Sequence, residues 1–262
     1  MDVQVDAKTA HAATGSRALN PDEPAVILIH GNGLDRTVWQ LQTRSYANKG
    51  RRAMAVDLPG HGKSDGPALA TVEEMADWVI RFMDAAEVKT ATLVGHSMGS
   101  LVALEAAARN PDRVEKLAML GAAAIMPVHP ELLAAAERNE VLAPELIVYW
   151  GLGLKAKTGG HPAPGLWVHM ASQALLENSA AGVLYTGLSA CNAYQGGAEA
   201  AKKVSCPARL VLGRDDMMCP LKNAQPLIDG IENAETVIIE RCGHMLLLER
   251  PNQVHDALAD FI

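Results

Sequence analysis

Aromatic residues are scarce. They make up 4% of the 262 residues, and only two are phenylalanine. Proteins that hold single-stranded nucleic acid stack bases on aromatic side chains, so this composition argues against such a platform. Positive charge is also in short supply: 23 Lys and Arg stand against 30 Asp and Glu, a net charge of −7 with no basic tract. Neither nucleic acid nor an anionic membrane surface is an expected partner. No apolar run approaches the ~18 residues of a membrane span.

Cysteine is sparse too. Cys191, Cys206, Cys219 and Cys242 lie far apart, with no C-x-x-C spacing. Zinc sites want closely paired ligands and disulfide frameworks want small secreted chains, so buried free thiols and no metal are expected. The N-terminal Met1–Asp6 has no cationic stretch followed by an apolar one, the pattern of a secretory leader. The expectation is a soluble protein of a reducing, cytoplasmic compartment.

What the chain has is small apolar side chains in an ordered rhythm. Hydrophobic residues make up 49% and charged residues 20%, a globular balance. A chain of this length buries about three quarters of its unfolded surface without staples. Val3–Val5 and Lys8–Ala13 suggest a starting hairpin. Ala25–Ile29, Arg52–Val56, Ala91–Val94 and Lys116–Leu120 read as strands, the first a continuous apolar run, as burial on both faces requires. Between them Thr71 and Glu74 form a capping box ahead of Met75, Val79, Phe82, Met83 and Ala86 at helical spacing, and Ser100–Arg109 reads as a second helix. From about Gly121 to Lys203 no strand appears, and the Ala/Leu-rich stretch reads as several helices broken by a Gly/Pro loop over 151–165. Ala208–Leu212, a helix near Leu221–Asp229, Thr236–Ile239 and a helix from Pro251 resume the alternation. The predicted fold is α/β: a mostly parallel eight-stranded sheet flanked by helices, its core formed by residues 1–121 and 204–262 and interrupted by a helical insertion over 122–203.

Gly95-His96-Ser97-Met98-Gly99 carries the chemistry. A strand precedes this G-x-S-x-G run at once and a helix follows at once, the context in which a tight turn lifts a serine hydroxyl above the sheet edge. The hydroxyl is a weak nucleophile and needs a base, itself oriented by an acid. In this arrangement the order is serine, acid, histidine. Of nine histidines, His244 and His255 follow a late acid; His255 lies off the apolar face of the last helix, whereas His244 sits in a strand-end loop. The acid is Asp215 or Asp216. Asp216 is preferred because 213–220 fits G-x-x-D-x-x-x-P, and no acid follows the earlier strand, at Gly121–Ala124. An oxyanion needs two aimed amides; Met98, next to the serine, supplies one, and Asn32 in His30-Gly31-Asn32-Gly33 the other.

These segments, with Asp57-Leu58-Pro59-Gly60-His61-Gly62-Lys63-Ser64-Asp65 and Gly243-His244 ahead of Glu249-Arg250-Pro251, resemble the α/β-hydrolase fold superfamily along nearly the whole chain outside 121–203. The closest likeness is to small lidded carboxylesterases and lactonase-like enzymes. The resemblance implies that the insertion is a helical cap over the active site, and serine rather than aspartate at 97 speaks against the epoxide-hydrolase and haloalkane-dehalogenase branches. It implies a cofactor-free serine hydrolase of small to medium carboxylic esters or lactones. Rival readings are the same triad used for C–C bond hydrolysis, acyl transfer or perhydrolysis, and a small-molecule receptor on a hydrolase fold. His30, His61 and His96 are expected to pack and hydrogen-bond rather than move protons, and Cys219 to be inert. Met98, Met217, Met218 and Met245 read equally as core filling or as an apolar pocket. Met217, Met245 and Trp167 are the candidate substrate contacts. Between Gly121 and Ala201 the only cations are Arg138, Lys155 and Lys157, few anchors for a substrate carboxylate. The loop over 151–165 is a candidate hinge. Oligomeric state is not legible.

Overall fold

The structure, a computed structural model, describes residues 1–161, 166–232 and 234–262. Strands β1 (Asp2–Val5) and β2 (Lys8–Ala13) form the antiparallel hairpin, and β2 pairs antiparallel with β4 (Arg52–Val56). From there β4, β3 (Ala25–Ile29), β5 (Ala91–His96), β6 (Val114–Leu120), β7 (Ala208–Gly213) and β8 (Glu235–Ile239) run parallel. The described residues thus form an eight-stranded, mostly parallel sheet in the order β1-β2-β4-β3-β5-β6-β7-β8.

Alternation along the buried strands divides the core in two. Ile27 and Ile29 of β3 pack with Met75, Val79 and Phe82 of α2 (Val72–Ala85) and Leu101 of α3 (Met98–Arg109). Val26 and Leu28 face the other way, with Tyr46 of α1 (Gln40–Asn48) and with Val254 and Leu258 at the C-terminal end of the chain. Both faces being covered, every residue of β3, β4, β5 and β7 is buried, as their continuous apolar runs require. The edge strand β8 keeps Glu235 and Thr236 in solvent. Thr71 Oγ1 accepts the Glu74 amide at 3.1 Å, as predicted, but Glu74 reaches back to the Ala70 amide rather than to that of the cap residue.

Six helices lie between β6 and β7: α4 (Pro130–Glu137), α5 (Leu142–Gly151), α6 (Leu154–Lys157), α7 (Val168–Glu177), α8 (Val183–Ala193) and α9 (Gly197–Ala201), among the described residues. Helices α4, α5, α7 and α8 pack on one another, whereas α9 returns to the sheet-flanking layer against α3 and α10 (Leu221–Gly230). The front of the predicted hinge loop is helical in α6; its residues 162–165 lie outside the described residues. Helices α11 (Leu246–Glu249) and α12 (Pro251–Leu258) end the chain. Among the described residues no helix is long and apolar enough to cross a membrane.

Because the strands are parallel, their C-terminal ends meet at one edge of the sheet, where α/β proteins place their sites. Ile29 registers with Gly95, His96 with Leu120 and Gly213 with Ile239. The loops that follow carry Asn32, Ser97, Asp216 and His244.

Candidate active site

Ser97 has left-handed backbone, φ 55° and ψ −121°, costly for any residue with a Cβ. The turn is tight enough that a Cβ on Gly95 would overlap the Gly99 carbonyl, and one on Gly99 would overlap the Ile29 carbonyl. Those contacts explain why the two flanking positions are glycine. The Ser97 amide is tied to the Leu120 carbonyl at 2.9 Å, and Ser100 Oγ donates to the Ser97 carbonyl at 2.6 Å. The Ser97 side chain makes no bond to the end of its own helix. Its hydroxyl lies 2.8 Å from His244 Nε2.

The other ring nitrogen of His244 lies 2.8 Å from Asp216 Oδ2. Asp216 Oδ1 accepts the Met218 amide at 2.9 Å and the Cys219 amide at 2.7 Å, which fixes the carboxylate. Burial alone would raise the Asp216 pKa, but the charge and hydrogen bond of His244, helped by those two amides, hold it below the usual carboxylate value. Burial alone would likewise lower His244, yet the Asp216 charge lifts it well above 6.5. Asp215 is exposed, as expected of the neighbour not chosen.

A residue that the sequence reading quoted within a motif but gave no role, Glu249, holds the histidine loop. Glu249 is fully buried; its Oε1 accepts the Gly243 amide at 3.1 Å and its Oε2 the Gly153 amide at 3.0 Å. Burial raises its pKa, and the two donated bonds oppose that rise. The His244 amide also donates to the Gly151 carbonyl at 2.6 Å. His96 Nε2–H donates to the His244 carbonyl at 2.8 Å, and a Cβ on Gly121 would sit 3.1 Å from His244 Nδ1.

The remaining motif histidines brace loops, as their positions suggested. His30 Nδ1–H donates to the Gly31 carbonyl at 2.8 Å, and its Nε2 accepts the Leu58 amide at 3.0 Å. His61 donates to the Pro59 carbonyl at 3.1 Å. Burial is the largest cause that lowers the pKa of His30 to about 4 and of His61 and His96 to about 3, so all are neutral in the fold. The sign follows from linkage: between about 6.5 and these values the unfolded chain binds more protons, so stability is present above 6.5 and is lost as pH falls below it. The contribution of His244, raised in the fold, is already in place there. We expect the three together to remove about 3 kcal/mol between pH 6.5 and 5.5. Urea unfolding across that interval checks this; an unfolding free energy that stays constant would mean the imidazoles are charged inside the fold.

Met98 contributes the first amide of α3, a position with no intrahelical partner, while its side chain is packed in the core. Asn32 stands across from it in the loop after β3. Asn32 lines a cavity of about 300 Å³ together with Ser97 and His244. Its walls are mainly apolar, with Leu132, Ile147, Trp150 and Leu188 from the inserted helices, and Met126 beside them. No Lys, Arg, Asp or Glu lines it among the described residues. Met217, Met218 and Met245 line it too, although Met245 is at the same time buried in the core and Met218 packs against it; Met217, at 60% exposure, sits at the rim.

Trp167 corrects an expectation. It is 57% exposed, stacks on His169 with ring centroids 6.1 Å apart, and is absent from the cavity wall. Helix α7 buries Val168, Ser172 and Leu176 instead, leaving its N-terminal tryptophan outside. Trp150, on the facing side of α5, takes the place foreseen for it. Asp216, Cys219 and His244 have ligand atoms within 4.8 Å of one another, a set of metal-ligating types, but the acid and the imidazole are already bonded to each other. Burial pushes the Cys219 thiol up, away from the reactive thiolate.

Known proteins share this fold. The sequence model of the alpha/beta hydrolase family matches residues 26–257. The chain is 28% identical over 268 residues to a pimeloyl-[acyl-carrier protein] methyl ester esterase of Aromatoleum aromaticum, covering 92% of this chain and 99% of that one. It is 28% identical over 244 residues to a 2-hydroxymuconate semialdehyde hydrolase of Pseudomonas sp. strain CF600, covering 90% and 86%. Its fold is similar to that of the enol-lactonase from Burkholderia xenovorans LB400, with a TM-score of 0.88 at 22% identity over 100% of this chain and 99% of the other.

Proposed function

Because the chain belongs to the alpha/beta hydrolase family, we propose that it is a serine hydrolase opening uncharged carboxylic esters or lactones through an acyl-enzyme. The observation that carries this reading is the bonded series Ser97 Oγ–His244 Nε2–His244 Nδ1–Asp216, each link 2.8 Å, at the floor of a cavity lined by no fixed charge among the described residues.

In this mechanism Ser97 Oγ attacks the carbonyl carbon while His244 takes its proton, and Asp216 keeps the tautomer and stabilises the imidazolium. The carbonyl oxygen, now anionic, is held by the Met98 and Asn32 amides; losing one such donor costs about 3–4 kcal/mol of transition-state stabilisation. His244 returns the proton to the departing alkoxide. Water, activated by the same ring, then releases the acid and frees the serine. No step calls for a cofactor. The helices over 122–203 act as the cap that shields the acyl-enzyme, and the four unpaired thiols support a reducing, cytoplasmic setting.

The likeness to the semialdehyde hydrolase supports a second reading, in which the same residues cleave a carbon–carbon bond. A muconate-derived substrate brings a carboxylate, and the cavity wall offers no Arg or Lys to receive it among the described residues. The ester reading is therefore preferred. A chain-length panel of nitrophenyl esters, run beside lactones and a dienone acid, tests it. The expected result is kcat/KM highest for uncharged esters or lactones of small to medium acyl length, with acyl chains bearing a terminal carboxylate disfavoured; faster turnover of the dienone acid would reverse the assignment.

A further inference from the structure

The loop that offers the Asn32 amide is held from two sides. From the core, the Gly31 carbonyl, which shares a peptide unit with the Asn32 N–H, accepts from His30 Nδ1 at 2.8 Å and from the Leu34 amide at 3.2 Å. From the inserted helices, the Leu184 carbonyl of α8 accepts Asn32 Nδ2 at 2.8 Å, and Ser179 Oγ donates to the Gly33 carbonyl at 3.1 Å. The two chain segments are remote in sequence.

Close approach is built into both surfaces. Gly33 has φ +67°, and a Cβ there would lie 2.7 Å from Leu184 Cδ1 and 3.0 Å from Leu176 Cδ2. A Cβ on Gly187, one turn further along α8, would overlap Asn32 Oδ1 and lie 3.0 Å from Met98 Sδ. A single glycine of α8 therefore rests on the side chains of both residues proposed as oxyanion donors. Asn32 Oδ1 is buried with no hydrogen-bond partner among the described residues, so the amide group is oriented by its Leu184 bond.

We infer that α8 is the roof of the oxyanion site, and that Asn32 is a positioning residue whose side chain, tied to Leu184, sets the aim of its own backbone amide. The inference rests on the serine-hydrolase reading and on the Asn32 and Met98 amides as the oxyanion donors. It assigns the inserted helices a part in catalysis beyond covering the substrate: the donor pair is complete only while α8 is seated. A roof of this kind acts on the transition state, where the oxygen is charged, and leaves ground-state binding nearly unchanged.

The test uses Asn32→Ala, which keeps the backbone N–H, together with Ser179→Ala and Gly187→Ala. Steady-state kinetics on the best ester are paired with inhibition by an alkyl trifluoromethyl ketone, whose serine adduct carries an oxyanion. A misaimed donor forfeits part of the roughly 10²–10³-fold value of a whole one, so kcat should fall about 10- to 100-fold in Asn32→Ala. KM should stay within about twofold, and ketone affinity should fall by the same factor as kcat. The acid limb of the pH profile should not move, since His244 and Asp216 are untouched. A purely structural role would instead lower the melting temperature or raise KM while leaving ketone affinity in step with the wild type. If Gly187→Ala does not fold, the other two variants carry the test. A wild-type enzyme inhibited by the ketone, with variants inhibited equally well, overturns this inference alone. A wild-type enzyme that turns over esters but is indifferent to the ketone overturns the serine reading and the inference with it.

Discussion

Ser97→Ala lowers kcat for a nitrophenyl ester by about 10⁶-fold and abolishes labelling by a fluorophosphonate probe, which in the wild type reaches one equivalent per chain. The substitution removes one oxygen atom. It leaves in place the Ser97 backbone bonds to Leu120 and Ser100 and the His244–Asp216 pair. Alanine carries the same Cβ through the strained turn, so the melting temperature should shift little. Intact folding with lost chemistry is the outcome that isolates the hydroxyl. Residual turnover of more than about one per cent would place the nucleophile elsewhere. Slow single-turnover kinetics in the wild type, with ligand-dependent rearrangement of the inserted helices, would favour the receptor alternative.

Asp216→Asn is expected to lower kcat by about 10⁴-fold. The amide oxygen can still accept the Met218 and Cys219 N–H groups, which leaves its NH₂ facing His244 Nδ1. The imidazole is then driven to carry its proton on Nε2, pointing at the hydroxyl it should deprotonate. The pH profile adds a second readout with a definite sign. In the wild type the Asp216 charge raises the His244 pKa well above 6.5, and catalysis needs the neutral ring, so the acid limb of kcat/KM lies above 6.5. In the variant that charge is gone and burial acts alone, so the residual activity should have its limb shifted downward. A limb that stays in place would show that another group titrates.

Much of the site was legible because it is local. Strands buried on both faces announce themselves as unbroken apolar runs, and the serine turn needs its glycines within five consecutive positions. The acid and base follow from the ends of β7 and β8, once the strands are placed. What stayed hidden depends on contacts between distant segments. Glu249 meets Gly153 across 96 positions, and Asn32 meets Leu184 across 152; no periodicity encodes either. Helix α1 escaped notice because Gln40–Asn48 is mostly polar and half of its buried face, Gln42 and Thr43 beside Tyr46 and Ala47, is polar too. Trp167 and Trp150 both sit in the inserted segment, and composition alone does not say which one turns toward the cavity.

The Glu249 carboxylate has a mechanical consequence. By gripping Gly153 and Gly243 together, with Gly151 bonded to the His244 amide, it splices the exit of α5 onto the His244 loop. On the serine-hydrolase reading, the inserted helices are thereby laced to the machinery at two separated stitches, one beside the proposed proton acceptor and one above the proposed oxyanion site. On that reading, an opening wide enough to unpick either stitch would also switch the chemistry off.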